Sequence, residues 1–154
     1  MSAICLIDTS VFMEILNVPG KANAHKETLV DLRGKIEEGE TLFLPMATIF
    51  ESGNHVAQVQ NGNQRRRLAE NFVRYVKQAL NGEAPFKPLN FTTPEQMQLW
   101  LDDFPESAMR RRALGDLSII YDFRAQCSKN RYIKVYVWSL DEHLSSLVQE
   151  GRIR

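Results

Sequence analysis

The sequence predicts an α/β sandwich built on a short, mainly parallel sheet, and three observations carry that prediction. Apolar runs of strand length, Ala3 to Ile7, Thr41 to Leu44 and Tyr132 to Trp138, lie far apart in the chain. The segments between them are helical in pattern and too long for hairpins, so the pairing open to the strands is mostly parallel, with helices covering the sheet. Both of the clearest strands run into an aspartate, ICLI into Asp8 and VYVWSL into Asp141, and ligands of such sheets gather beyond the strands' carboxyl ends.

The elements follow in order. Thr9 to Leu16 has room for two helical turns before Asn17, Pro19 and Gly20 end it. Leu29, Leu32 and Ile36 mark an amphipathic helix with Gly39 as its stop. After the strand Thr41 to Leu44, Pro45 suits the first turn of a helix, where its missing N–H costs nothing, and Met46, Ile49, Phe50 and Ala57 form that helix's apolar stripe. Asn61 to Asn63 reads as a turn. Leu68, Phe72, Tyr75, Val76 and Ala79 define another helix, closed by Asn81 and Gly82, and the prolines at 85 and 88 keep Pro85 to Phe91 extended. Thr93, Pro94 and Gln96 are a capping-box start for a helix carrying Met97, Trp100, Leu101 and Phe104. Gly115 introduces a helix with Ile119, Ile120, Phe123 and Cys127 inward, and Asp141 to Glu150 is expected to form the last one. The chain shows no internal repeat and no low-complexity segment.

With 154 residues, 44% of them hydrophobic, residues 1–154 are expected to form a single domain with a sizeable core. The 19 basic and 19 acidic side chains cancel, so attraction to nucleic acid has to be local. Cys5 and Cys127 sit in apolar segments without metal-type spacing, as suits a reducing compartment, and cytoplasm is the expected location. No basic region precedes the first apolar run and no apolar stretch nears the roughly 18 residues of a membrane span, so a soluble, unprocessed chain is expected.

An aspartate at the tip of a buried strand loses hydration unless something there requires a negative charge. Asp116, in GDLSII, lies on the stripe continued by Ile119, Ile120 and Phe123, and Glu51, in PMATIFESG, follows a strand by about two helical turns. If Asp8, Glu51, Asp116 and Asp141 converge, they repel one another unless a cation sits among them. A magnesium ion takes hard oxygen ligands and keeps several waters, an arrangement suited to phosphodiester hydrolysis. The competing explanation is local: aspartate is a common helix N-cap, worth about 1 kcal/mol, and Asp8, Asp116 and Asp141 all read as standing before helices.

Together these residues resemble the PIN-domain family, most similarly the VapC-type toxins of prokaryotic toxin–antitoxin pairs. The family's opening strand ending in Asp-Thr-Ser resembles ICLIDTS, its proline-led helix with a glutamate resembles LPMATIFESG, its Gly-Asp helix start resembles LGDLSII, and its late strand ending in Thr-x-Asp resembles VWSLDEHL, with Ser139 in place of the usual threonine. The motifs occur in the family's order across almost the whole chain. The resemblance implies a three-layer α/β/α sandwich and an endoribonuclease dependent on Mg2+ or Mn2+. It implies catalytic roles for Asp8, Glu51, Asp116 and Asp141, metal ligation by Asp8, Asp116 and Asp141, and Ser10 and Ser139 as supporting hydroxyls. It also implies an RNA substrate, a cognate antitoxin and a homodimer. The stretch from Gln64 to Phe104 is longer than in typical toxins of this kind. Asp122 stands where the family more often has a small residue and reads as a surface or helix–helix contact.

Arg110, Arg111 and Arg112, just before Asp116, are the better candidates for holding an RNA backbone. Arg65 to Arg67, with Arg74 and Lys77, read as a solvated face. His25, His55 and His143 lack metal-type spacing and receive no catalytic role, and Trp100 and Trp138 read as packing residues. An aspartic peptidase is excluded because Asp8-Thr9-Ser10 lacks the glycine that follows in that triplet and the chain is rich in helices. A flap nuclease needs helical elements for which this length has no room. A PIN-like module that binds RNA or protein without cutting is the alternative of another class.

Overall fold

A computed structural model describes residues 2–153. Its elements run β1 (Ile4–Ile7), α1 (Thr9–Leu16), α2 (His25–Glu37), β2 (Thr41–Leu44), α3 (Met46–Ala57), α4 (Gly62–Leu80), β3 (Phe86–Pro88), α5 (Pro94–Met109), α6 (Leu114–Lys129), β4 (Val135–Trp138), α7 (Glu142–Ser145) and β5 (Val148–Gln149). The sheet has the order β3-β2-β1-β4-β5. Its first four strands are parallel, and β5 pairs antiparallel with β4.

The central strand explains the layering. All of Ile4, Cys5, Leu6 and Ile7 are buried, and because successive side chains point to opposite faces, a strand covered on both sides reads as a continuous apolar run. Cys5 and Ile7 join the larger core with Val11, Phe12, Leu32, Val56 and Leu68 of the helices α1 to α4. Ile4 and Leu6 face the other way, against Ile119 and Ile120 of α6 and Leu144 of α7. Helices therefore cover both faces, as in a three-layer α/β/α sandwich. Phe12 and Phe86 are the largest fully buried side chains, and Phe12 makes edge-on contacts to Phe86 at 5.8 Å and Phe72 at 6.4 Å. Both cysteines are free, and burial pushes the Cys5 thiol up to about 12, which keeps it an inert core group.

One polar residue in this core went unread in the sequence. Glu14 of α1 is buried, and its carboxylate accepts the backbone N–H groups of Asn23 (2.9 and 3.1 Å) and Ala24 (2.9 Å). Ala24 is the N-cap of α2 and has no capping side chain of its own, so Glu14 satisfies these donors from a neighbouring helix.

Elsewhere the local signals hold, with exceptions that have physical causes. The capping box opens α5: Gln96 N–H donates to Thr93 Oγ1 (3.2 Å) and Thr93 N–H to Gln96 Oε1 (3.1 Å). Asn61 is an N-cap for α4, accepting Gln64 N–H at 3.0 Å, so Asn61 to Asn63 is a helix start as much as a turn. The stretch expected as one helix from Asp141 to Glu150 holds only the short α7 and then β5, because Val148 and Gln149 find an open sheet edge in β4. Asp116 does not stand before its helix: α6 starts at Leu114, and Ala113 is the N-cap. Phe50, expected on an apolar stripe, is 62% exposed. Met97 and Leu101 of α5 are exposed too, and Trp100 is half-buried, because α5 packs on α6 outside the sheet layers, with the Tyr121 hydroxyl donating to Asp103 and the Trp100 and Tyr121 rings 6.4 Å apart. No helix among the described residues is long and apolar enough to cross a membrane.

Candidate functional site

Strand register assembles the site. β1 and β4 run parallel with Ile7 opposite Trp138, so Asp8 and Ser139 emerge side by side from the carboxyl ends of adjacent strands. This is also where the connection order reverses, β2 lying on one side of β1 and β4 on the other, the usual location of a ligand crevice in an open α/β sheet. The tip of β1 is tied across the sheet by Asp8 N–H donating to the Trp138 carbonyl (3.0 Å), and Thr48 Oγ1 of α3 donates to the Ile7 carbonyl (2.8 Å).

Asp8 is buried at 4% exposure and is the hub of a hydroxyl network. Its Oδ2 accepts from Ser139 Oγ at 2.7 Å and Ser10 Oγ at 2.9 Å. Each hydroxyl is itself oriented, Ser139 Oγ accepting Asp141 N–H and Ser10 Oγ accepting Leu140 N–H, both at 3.0 Å. Asp8 precedes α1 but makes no side-chain cap, so the capping explanation fails for it. For Asp141 it holds: Oδ1 accepts His143 N–H (2.8 Å) and Leu144 N–H (3.1 Å) at the start of α7.

Glu51 reaches in from α3, its Oε2 accepting from Thr9 Oγ1 at 2.8 Å. It passes over the bare Cα of Gly115, where a methyl group would collide with Glu51 Oε1, and glycine is therefore what lets α3 and the start of α6 approach. One residue on, the Asp116 carboxyl is pushed up to about 6, first by burial and then by the negative charges of Asp8, Glu51 and Asp141, with Arg112 opposing them. All four acids, with Ser10, line one cleft of about 310 Å3, and Ser139 lies behind it, bonded to Asp8.

Three further polar residues line the cleft that the sequence did not place there, Thr9, Lys21 and His55, along with the apolar Met13, Leu140 and Leu144. Lys21 sits beyond the Pro19-Gly20 turn, where nothing local signals a site. The His55 ring, one turn after Glu51, has a buried Nδ1 with no hydrogen-bond partner among the described residues. Arg110 and Arg111 are exposed and Arg112 is half-buried beside Asp116. In the other cluster, Arg65 donates to the Val59 carbonyl (2.9 Å) and Arg66 pairs with Glu70 (3.0 Å), contacts of an ordinary helix surface.

The donor set suits a hard divalent cation. The oxygens are carboxylates, and Asp8 Oδ1, Glu51 Oε1, Asp141 Oδ2 and both Asp116 oxygens accept no hydrogen bond among the described residues. Burial and then the charges of Asp8, Glu51 and Asp141 raise Asp116, and Arg112 only partly offsets them. As the side chains stand, however, no three His, Cys, Asp or Glu residues among those described form a group able to hold one ion. Compared with known proteins, the chain matches no family model, no curated protein and no solved structure.

Proposed function

We propose that the chain is a divalent-metal-dependent endoribonuclease of the PIN type, the toxin member of a type II toxin–antitoxin pair. One observation carries the reading: four carboxylates from four separate segments line one cleft at the topological switch of a mainly parallel sheet. The PIN resemblance of ICLIDTS, LPMATIFESG, LGDLSII and VWSLDEHL adds the substrate class, the cytoplasmic setting, a cognate antitoxin and a homodimer.

In this reading Asp8, Asp116 and Asp141 would hold Mg2+ or Mn2+ through the oxygens the fold leaves unbonded. A divalent ion there supplies positive charge that acidifies water and steadies the anionic oxygens of a phosphodiester. Ser10 and Ser139 fix the Asp8 carboxylate so that little reorganisation accompanies binding. Glu51, with Oε2 restrained by Thr9, is suited to accept the proton of the attacking water through Oε1. Lys21 in the cleft and Arg110, Arg111 and Arg112 beside it offer charge to the flanking RNA phosphates. The alternative, a non-catalytic PIN-like module binding RNA or protein, draws on Asp141, one of whose oxygens is engaged as a helix cap.

Incubation of the protein with total RNA, with Mg2+ or Mn2+ or with EDTA, separates the two. Cleavage is expected only with the metal, and Asp8→Asn or Asp116→Asn should lower it by at least about 100-fold while circular dichroism stays that of the parent. Parent-rate cutting by either variant would sink the metal-nuclease reading, and RNA binding without cutting would favour the module.

A further inference from the structure

Beside the acidic cleft lies a second cavity of about 370 Å3, mostly apolar and within the size range of small-ligand pockets. The two adjoin: Glu51 lines both, and α6 contributes Gly115 to the second and Asp116 to the first. Three aromatic rings line the second cavity, Phe50, Phe91 and Trp100. Phe50 and Phe91 are 62% and 75% exposed, in a chain whose other phenylalanines are buried or half-buried. Flat apolar faces left open to water favour a flat partner.

One polar group sets the chemistry of that partner. Asp122, read from sequence as a surface or helix–helix contact, lines this cavity. Among the described residues its carboxylate has no hydrogen bond and no ion pair, and burial alone pushes it up to about 7. The fold thus half-buries this carboxylate and, among the described residues, provides no donor for either of its oxygens. Unstacked nucleobases are bound by aromatic stacking and by hydrogen bonds to their Watson–Crick edges. Guanine presents two adjacent N–H donors there, one for each carboxylate oxygen. Adenine and cytosine set a ring-nitrogen acceptor beside their single amino donor, and uracil flanks its one N–H with two carbonyls, so each meets the carboxylate with a lone pair.

We propose that this cavity receives an unstacked guanine from the RNA strand whose phosphate occupies the acidic cleft, with Asp122 accepting from the base and Phe50, Phe91 and Trp100 stacking on it. The assignment of the strand rests on the nuclease reading of the neighbouring site. The base pocket itself is tested without it, using free nucleosides, which carry no phosphate for the acidic cleft.

Trp100 fluorescence reports occupancy directly, with Trp100→Phe as the background control for Trp138, which packs against the core on the α1-to-α4 side of the sheet. In EDTA at pH 8, where the Asp122 carboxyl is ionised and accepts at both oxygens, guanosine should quench Trp100 and bind at least about tenfold tighter than adenosine, cytidine or uridine. Asp122→Asn should abolish that preference. Phe91→Ala, at a site too exposed to cost core packing, should weaken guanosine and adenosine alike, because stacking tolerates any base. Absence of quenching, or a guanosine preference that survives Asp122→Asn, would overturn the pocket. Mapped cut ends separate the two readings. Cutting without a guanosine at a fixed position beside the cut overturns the base assignment and leaves the nuclease standing. Selective guanosine binding by a protein that never cuts RNA supports the pocket and removes the nuclease.

Discussion

Asp8 and Glu51 share a design, one carboxylate oxygen tied by neighbouring hydroxyls and the other left unbonded. Such residues are oriented without being neutralised, which is what a site for a cation or a proton requires. Gly115 tests how much the orientation of Glu51 matters. Gly115→Ala places a methyl group against Glu51 Oε1, the movable end of a flexible side chain, so the helix tolerates the change while the carboxylate has to swing away. We expect a melting temperature within a few degrees of the parent, since alanine is the better helix former, together with at least a tenfold loss of metal-dependent RNA cleavage, an estimate of about the size usual for displacing one catalytic group. Full cleavage by this variant would remove Glu51 from the chemistry. At this scale the sequence showed the four acids and the two serines, because each sits beside a local signal, a strand end, a proline or a Gly-Asp pair. It did not show Thr9, Lys21 or His55 in the cleft, nor the isolation of Asp122, because these depend on neighbours far along the chain.

Among the elements, α3 holds the site to the sheet. Its Thr48, fully buried, donates to the carbonyl of Ile7 immediately before Asp8, and its Glu51 takes the hydroxyl of Thr9 immediately after. Thr48→Val keeps shape and volume but removes the hydrogen bond, so it should cost about 1–2 kcal/mol in urea denaturation and lower cleavage with it. An unchanged denaturation midpoint would mean that packing alone seats α3. Element boundaries were legible where capping chemistry is local, as at Thr93 and Gln96. They were misread where a partner strand decides: the apolar residues after Leu144 suit a helix as well as they suit β5, and the open edge of β4 selects the strand.

Taken as a whole, the molecule carries more buried negative charge than its zero net charge suggests, and that has a pH signature. Asp122 and Asp116 are raised from 3.8 to about 7 and about 6, so the folded chain holds protons that the unfolded chain has already released. Their contribution to stability is therefore full below about pH 4 and is lost as pH rises through 6 and 7. Asp122→Asn should gain on the order of 1–3 kcal/mol over the parent at pH 8 and almost nothing at pH 4, read by urea denaturation in EDTA at the two pH values. The same gain at both would show that the Asp122 carboxyl is not raised in the folded chain. Millimolar Mg2+ should raise the parent's melting temperature at pH 8 and leave that of Asp8→Asn unmoved, because a ligand that binds only the folded state stabilises it.

The sequence by itself determined the class of fold, nearly all of its elements and the residues that end its strands in negative charge. Those properties follow from short-range rules: the two-residue alternation of a strand, the 3.6-residue turn of a helix, and the caps and prolines that bound them. Only the tertiary structure decided the strand order β3-β2-β1-β4-β5, the register that sets Ser139 beside Asp8, and the meeting of α3 with α6 that brings Glu51 over Gly115. It alone also showed which carboxylates lose their water. Register and desolvation belong to groups distant in the chain and adjacent in space, and such neighbours exist only once the sheet has paired and both its faces are covered.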